Sequence, residues 1–360
     1  MAAYLVVGSA LAQAPTITGL APTRNERAAP VGSGVAVTFS QPMSGASASA
    51  ASVKVFSHQR GGRMSGAQGG AASVSGNTIS FNPATDFRPG ETVFVSTTAA
   101  QGSGGANLAA GHVHQFTTAT GGTGVGNFQR PSGTSVFVTN PAGTPQCIAV
   151  GDVDSDGDLD FVAADGGAFT ATVQLNDGAG GFTPHPTTPN PGTFVNPRFL
   201  ALGDIDGDGD LDFVTVSPTA SGVNVRLNDG AGSYSASGAA PDLTSFDLPT
   251  VVRLADVDGD GDLDLLANSR FALNVRYNNG SGNFSTGADF GLGSTATGGL
   301  TVGDVDNDGD VDAVMTASGA VQVLHNSGAG AFGVVQSVGQ PEATIDALLA
   351  DFDGDGDLDL

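Results

Sequence analysis

Five aspartates in nine residues, Asp152, Asp154, Asp156, Asp158 and Asp160, repel one another strongly unless a counter-ion sits among them. The run recurs, with copies starting at Asp152, Asp204, Asp256, Asp304 and Asp351, at intervals of 52, 52, 48 and 47 residues. A hard divalent cation with oxygen ligands relieves that repulsion, and Ca2+ is the natural candidate. In the first copy Asp152, Asp154 and Asp156 hold positions 1, 3 and 5. Gly157 at position 6 permits the sharp turn that aims them inward. Asp158 at position 7 is expected to offer its backbone carbonyl, leaving its side chain free to face water, and Asp160 at position 9 closes the cage. The order is kept by Asp204, Asp206, Asp208, Asp210 and Asp212, by Asp256, Asp258, Asp260, Asp262 and Asp264, by Asp304, Asp306, Asp308, Asp310 and Asp312, and by Asp351, Asp353, Asp355, Asp357 and Asp359. These are the candidate metal ligands, at roughly one Ca2+ per repeat. An Asp/Gly-rich turn without an ion is the plain alternative for one copy; five copies with one ligand order argue against it. Ions held in this way read as structural rather than regulatory or catalytic.

The elements that position these loops are strands. An EF-hand needs a Glu at position 12 and flanking helices, whereas position 12 here is Ala163, Thr215, Ala267 or Met315. The flanks Cys147-Ile148-Ala149-Val150 and Leu159-Asp160-Phe161-Val162 are short apolar runs bounded by Gly and Asp, which suits buried strands. Phe161–Ala164, Phe213–Val216 and Leu265–Asn268 are apolar on both faces, as expected of a strand sandwiched between neighbours. A second motif, Val173 to Phe182, with relatives at Val225 to Tyr234, Val275 to Phe284 and Val323 to Phe332, reads as a strand, a Gly-rich hairpin and an aromatic. Each unit is then strand, metal loop, strand, connection, strand, hairpin, strand, which is one blade of a β-propeller. The recurring aromatic, Phe182, Tyr234, Phe284 or Phe332, is expected to pack between blades rather than to form a binding platform.

The pairing of D-x-D-x-D-G-x-x-D with a following N-x-G-x-G-x-F resembles the FG-GAP or VCBS repeat family, over about residues 121–360. Its members include the calcium-binding propellers of integrin α-subunits and many bacterial surface proteins. The resemblance implies a propeller with calcium on one rim and no single function, since propellers host adhesion, sugar binding and enzymes alike. The sequence departs from the family pattern by stopping at Leu360, straight after the fifth loop. It is therefore expected to be a fragment lacking the rest of blade five and two further blades, and a truncated ring exposes an edge strand. Gly126-Asn127-Phe128 resembles the end of a blade and is a candidate outer strand.

Residues 1–14 form an apolar stretch ending in Ala12-Gln13-Ala14 before Pro15, which reads as the tail of a secretory signal peptide whose charged start lies upstream. Residues 15–119 lack the Asp motif and alternate instead, at Val35–Phe39, Val53–Val55, Ile79–Phe81, Val93–Val95 and Val113–Phe116, which suggests a β-sandwich. The runs from Val37 to Ser44 and from Phe87 to Val95, with Phe116-Thr117-Thr118 closing the segment, resemble bacterial Ig-like domains of the Big_5 or SbsA type. That resemblance implies a spacer or adhesive module. Residues 117–124, rich in Thr and Gly, read as the linker to the repeats at 120–360. The fold class is all-β, an Ig-like sandwich followed by a partial propeller of four-stranded blades.

The net charge is −24 and the five loops hold 25 Asp, so the acidity is local to the loops and the rest of the chain is close to neutral. A basic patch for nucleic acid is absent, and no later stretch is long and apolar enough for a membrane span. Cys147 is the only cysteine and reads as a small buried hydrophobe. His112 and His114, two apart on one strand, share a face that reads as solvated, with a transition-metal pair as the alternative. No G-x-S-x-G elbow, H-E-x-x-H helix or P-loop is present, and nearly all carboxylates are committed to the loops. The expected function is that of a secreted or cell-surface bacterial protein, calcium-binding and non-catalytic, adhering to a protein or glycan. The alternatives are the propeller part of a larger extracellular hydrolase or lyase, and a purely structural spacer.

Overall fold

The structure, a computed structural model, describes residues 13–119, 144–339 and 344–360, apart from 50–51, 58–61, 65–69, 99, 168, 179–180, 188–195, 220, 237–241, 244–245, 285 and 351–356. The signal-peptide segment up to residue 12, the candidate outer strand Gly126-Asn127-Phe128 and the first part of the fifth loop (Asp351, Asp353 and Asp355) lie outside the described residues.

The N-terminal unit is a sandwich of two antiparallel sheets. Its strands are β1 (Ile17–Ala21), β2 (Val35–Phe39), β3 (Val53–Ser57), β4 (Gly62–Arg63), β5 (Gly70–Ser75), β6 (Thr78–Pro83), β7 (Thr92–Thr97) and β8 (His112–Thr117). They pair in the orders β1-β2-β6-β5 and β4-β3-β7-β8. The alternation read from the sequence is the reason. In β2, Val35, Val37 and Phe39 point inward and are buried while Ala36 and Thr38 are less so. They meet Ile79, Phe81, Val93, Val95 and Phe116 from the facing strands in one core, and each such side chain contributes about 1.5–3 kcal/mol on burial. Thr118 and Ala119, at the end of the stretch 15–119 expected to form this unit, are tied into it. Thr118 N–H donates to Glu91 O at 2.9 Å and Ala119 N–H to Ala29 O at 2.8 Å.

The repeats form four antiparallel sheets of near-identical order. Blade one holds β9 (Pro145–Gly151), β10 (Asp160–Asp165), β11 (Thr170–Asn176) and β12 (Phe182–Pro184). Blade two holds β13 (Phe199–Gly203), β14 (Asp212–Ser217), β15 (Gly222–Asn228) and β16 (Tyr234–Ala236), with β17 (Asp242–Leu243) also paired to β15. Blade three holds β18 (Val251–Ala255), β19 (Asp264–Ser269), β20 (Ala272–Tyr277) and β21 (Thr286–Gly291). Blade four holds β22 (Ala296–Gly303), β23 (Asp312–Ala317), β24 (Ala320–Asn326) and β25 (Phe332–Gly339). The first strands β9, β13, β18 and β22 lie side by side, as in an arc of a propeller. The second strands β14, β19 and β23 are buried at every position, which is why they lack polar alternation. Apolar clusters join blade to blade: Phe284 of blade three packs with Ile205, Val214 and Val225 of blade two, and Phe332 of blade four with Val257 and Leu273 of blade three. The recurring aromatic is therefore packing. Among the described residues of the fifth unit, Ala350 and Asp359 exchange two backbone bonds across the start and end of the loop.

The two units touch. The face of β3, β7 and β8 lies against the metal-loop rim of the arc, and Val113 of β8 is part of the apolar cluster of blades three and four. An apolar cavity of about 40 Å3 between them is lined by Phe56, Phe94 and Val113 on one side and Leu254, Leu263 and Val302 on the other. His112 and His114 consequently do not form a solvated face. His114 is buried, and burial, with His112 and Arg24 nearby, lowers its pKa to about 3, so the imidazole is neutral. Cys147 is half-buried rather than fully enclosed, with Sγ 3.8 Å from Leu200 O, and burial pushes its thiol pKa up.

Candidate metal centres

Each loop joins the first and second strands of a blade, so both its ends are anchored by a β-ladder. The turn at position 6 needs a left-handed backbone, with φ of 100° at Gly157, 104° at Gly209, 88° at Gly261 and 99° at Gly309, a region open to glycine without steric cost. The turn closes on its own first carboxylate: Gly157 N–H donates to Asp152 Oδ2 at 3.1 Å, Gly209 to Asp204 Oδ2 at 3.1 Å and Gly309 to Asp304 Oδ2 at 3.0 Å.

The ninth-position carboxylate is a hub. Asp160, Asp212, Asp264 and Asp312 are fully buried. In each, Oδ2 accepts the backbone N–H of position 2, from Val153 (2.9 Å), Ile205 (2.7 Å), Val257 (3.0 Å) and Val305 (2.9 Å). Oδ1 accepts the N–H of the hairpin Asn: Asn176 (2.8 Å), Asn228 (2.8 Å), Asn278 (2.9 Å) and Asn326 (2.8 Å). Every one of these oxygens retains a lone pair.

The loops bring Asp152, Asp154 and Asp160 together, and likewise Asp204, Asp206 and Asp212, Asp256, Asp258 and Asp260, and Asp304, Asp306 and Asp308, each set with ligand atoms within 4.8 Å of one another. Asp156, Asp208 and Asp264 stand outside those tight sets, and so does Asp312. His325 joins Asp306 and Asp312 in a further set, with its Nδ1 2.5 Å from Asp306 Oδ2. That histidine was missed from the sequence, although it stands immediately before the hairpin Asn, where the other blades have Leu175, Leu227 and Tyr277.

The seventh-position side chains do not face open water. A Cβ on the hairpin glycine would lie 2.4 Å from Asp158 Oδ2 at Gly178 and 2.4 Å from Asp262 Oδ2 at Gly280, so these carboxylates rest on the hairpin of their own blade. Asp210 and Asp310 do the same at Gly230 and Gly328. Within the fifth loop, Asp357 Oδ1 accepts from Asn307 Nδ2 of the fourth at 2.5 Å.

The electrostatics are those of a cation site. Burial, reinforced by neighbouring carboxylates, raises Asp152 and Asp304 to about 6, Asp256 to about 7 and Asp264 to about 8. Asp310 rises to about 6 for the same reasons, and burial drives Asp212 well up. Asp152 Oδ1, Asp256 Oδ2 and Asp304 Oδ1 are buried oxygens with no hydrogen-bond partner. A buried carboxylate oxygen without a partner is costly, and three recur at position 1 of three loops. The donor set thus fits a hard cation.

Family comparison settles the class. An FG-GAP-like repeat model matches residues 152–215, 204–267 and 304–360, and a bacterial Ig-like domain model matches residues 12–118. The chain carries FG-GAP-like repeats behind a bacterial Ig-like domain. All five Asp loops fall inside the FG-GAP-like matches. No curated protein matches the chain. Among solved structures it is similar to a lectin of Agrocybe aegerita that recognises non-reducing terminal N-acetylglucosamine, at 18% identity over 85% of this chain and 83% of that one, with a TM-score of 0.42. A functionally unknown protein from Desulfotomaculum acetoxidans DSM 771 shares 12% identity over 88% and 84% of the two chains, with a TM-score of 0.42. The V. cholerae biofilm matrix protein Bap1 shares 15% identity over 80% of this chain and 38% of that one, with a TM-score of 0.36.

The FG-GAP-like blades are riveted by a contact the motif did not reveal. The hairpin Asn side chain spans two blades. Asn228 Nδ2 donates to Leu211 O of its own blade at 3.1 Å and to Val153 O of the preceding blade at 2.8 Å. Asn278 does so to Leu263 O (3.1 Å) and Ile205 O (2.7 Å), and Asn326 to Val311 O (3.2 Å) and Val257 O (2.6 Å). The Asn thus holds its own metal loop through its N–H and the neighbouring loop through its amide.

Proposed function

We propose that this protein is an extracellular, non-catalytic binding module whose FG-GAP-like repeats are locked by Ca2+ and offer one rim to a protein or glycan. The observation that carries the calcium reading is the set of buried, unpartnered first-position oxygens on Asp152, Asp256 and Asp304. The Asp ligands are hard oxygen donors, and the loops wrap them as a flexible calcium shell requires. The Asp residues at positions 1, 3, 5 and 9 supply carboxylates, with the position-7 carbonyl as a further donor. The Ig-like domain and the Ala12-Gln13-Ala14 segment support an extracellular setting, where calcium sites with a Kd of about 10^-4–10^-3 M suffice. No helix among the described residues is long and apolar enough to cross a membrane.

The partner rim is the one opposite the loops. Phe169, Leu248 and Phe271 are 50%, 43% and 48% exposed there, in the turns that lead into β11, β18 and β20. Phe169 and Leu248 have φ of 58° and 53°, a left-handed conformation that is strained for bulky side chains and that clusters at binding sites. The Arg270 guanidinium stacks 5.0 Å over the Phe271 ring, an arrangement suited to sugar faces or peptide.

Calorimetric calcium titration of the chelator-treated chain tests the first half. Uptake of about one ion per loop, with a rise in melting temperature, is expected; no uptake refutes it. Glycan and protein arrays probed with the wild type and with a Phe169→Ala/Phe271→Ala variant test the second half. Binding that the double variant retains in full would remove that rim from consideration.

A further inference from the structure

The loop rim is not open to solvent over blades three and four, because the Ig-like domain sits on it. Lys54 of β3 reaches loop three, where its Nζ donates to Asp260 O at 3.0 Å and to Asp262 Oδ1 at 2.9 Å. Arg24 reaches loop four, with Nη1 2.9 Å from Asp304 Oδ2. Val113 N–H donates to Gly309 O at 2.8 Å, an extension of β8 onto the loop backbone. Gly111 lies flat on loop three: a Cβ there would stand 2.1 Å from Gly259 O. At loop one, the Arg88 guanidinium approaches Gly157.

These contacts have a common property. Lys54 and Val113 bond to loop carbonyls and Gly111 packs on loop backbone, so docking reads the wrapped shape of the turn. Lys54 takes the Asp262 side chain and the Asp260 carbonyl, and Arg24 takes Asp304 Oδ2. Neither cation takes the two first-position oxygens that lack a hydrogen-bond partner at those loops, Asp256 Oδ2 and Asp304 Oδ1. An ion and the docked domain can therefore occupy one loop together. The ion holds the turn that the domain reads, and the domain shields that turn from water.

We propose that the Ig-like domain is the resident occupant of the loop rim, that calcium binding at loops three and four and docking of the domain strengthen each other, and that outside partners are confined to the opposite rim. The proposal rests on the calcium reading above. Reciprocity follows from linkage: whatever calcium adds to docking, docking adds to calcium affinity.

The test uses the full chain. Gly111→Ala places a methyl group against Gly259 O, and its backbone lies outside the left-handed region, so the sandwich itself has no reason to unfold. Lys54→Glu, the second variant, sets a carboxylate against loop three. Radius of gyration by small-angle scattering and calcium affinity by calorimetry are read for wild type and both variants. The wild type should be compact in calcium and expanded in EGTA. Both variants should be expanded in calcium; in Gly111→Ala, which changes no charge, the affinity of loop three should fall about fivefold or more while that of loop two is unchanged. Calcium uptake and dimensions identical in wild type and both variants would overturn the proposal. A wild type that takes up no calcium would instead sink the calcium reading, and the linkage with it.

Discussion

Within a loop, two kinds of carboxylate do different work. Asp264 accepts one backbone donor on each oxygen, whereas Asp256 keeps Oδ2 without a partner. On the calcium reading both kinds are ligands and the first also shapes the turn, so substitutions among the aspartates that do not brace the strands should separate by their calcium dependence. Asp154→Ala and Asp258→Ala should lower the melting temperature in calcium by several degrees, about 1–2 kcal/mol of lost linkage, and leave it nearly unchanged in EGTA. Equal losses in both conditions would count against ligation. A pH series follows from the same burial. In EGTA, Asp152 and Asp304 near 6, Asp256 near 7 and Asp264 near 8 all stand above the ordinary 3.8. A raised carboxylate holds its proton more tightly folded than unfolded, so its stabilisation is complete below the unfolded value and is lost as pH climbs through the folded one. The chelated protein should therefore melt at progressively lower temperature from about pH 4 to pH 8. Saturating calcium should flatten that fall, which scanning calorimetry would show; a flat profile in EGTA would refute the burial argument.

For the blades, the unit of construction is a loop gripped by two strands and pinned by the hairpin that follows. The strand order was legible in the spacing, because second strands such as Phe213–Val216 carry unbroken apolar runs and hairpins carry Asn and Gly. The rivet was not legible. The Asn of the hairpin reads as an ordinary turn residue, and nothing in one blade says that its amide reaches a carbonyl 69 to 75 residues away. Asn278→Ala should leave the Ile205 and Leu263 carbonyls buried without that donor. A loss of about 2–6 kcal/mol in urea unfolding is expected, from two such groups at about 1–3 kcal/mol each. A loss below about 0.5 kcal/mol, the usual value for an exposed substitution, would show that the two blades do not depend on it.

Across the whole molecule, stability is an Ising-like sum of blades and interfaces, and on the calcium reading proposed above the ion enters that sum once per loop. At a hundred times Kd each site adds about 2.7 kcal/mol, so a calcium titration should raise the melting temperature of the repeats continuously past saturation. A melting temperature that stops rising at the binding midpoint would contradict the mass-action account. The arc also has an apolar end: Ile148 and Val150 of β9 are 59% and 54% exposed, whereas Leu200 and Leu202, their counterparts in blade two, are buried against blade one. The difference is one of neighbours rather than of residue type.

The Asp pattern, the period near fifty residues and the two hydrophobic periodicities were enough to read the clustered Asp loops, the blade and the sandwich, because each of these is local and repeats. The surroundings of the position-7 Asp side chains, expected to face water, and of His112 and His114 were not legible in the sequence. Those depend on which surface of one domain meets which rim of another, and that match is made by single residues far apart in the chain: Lys54 with Asp262, Arg24 with Asp304, Val113 with Gly309. A lone lysine on a sandwich strand looks like any solvated charge until packing brings an acidic loop to it. Local pattern therefore wrote the parts, and long-range complementarity of shape and charge chose which faces remained open.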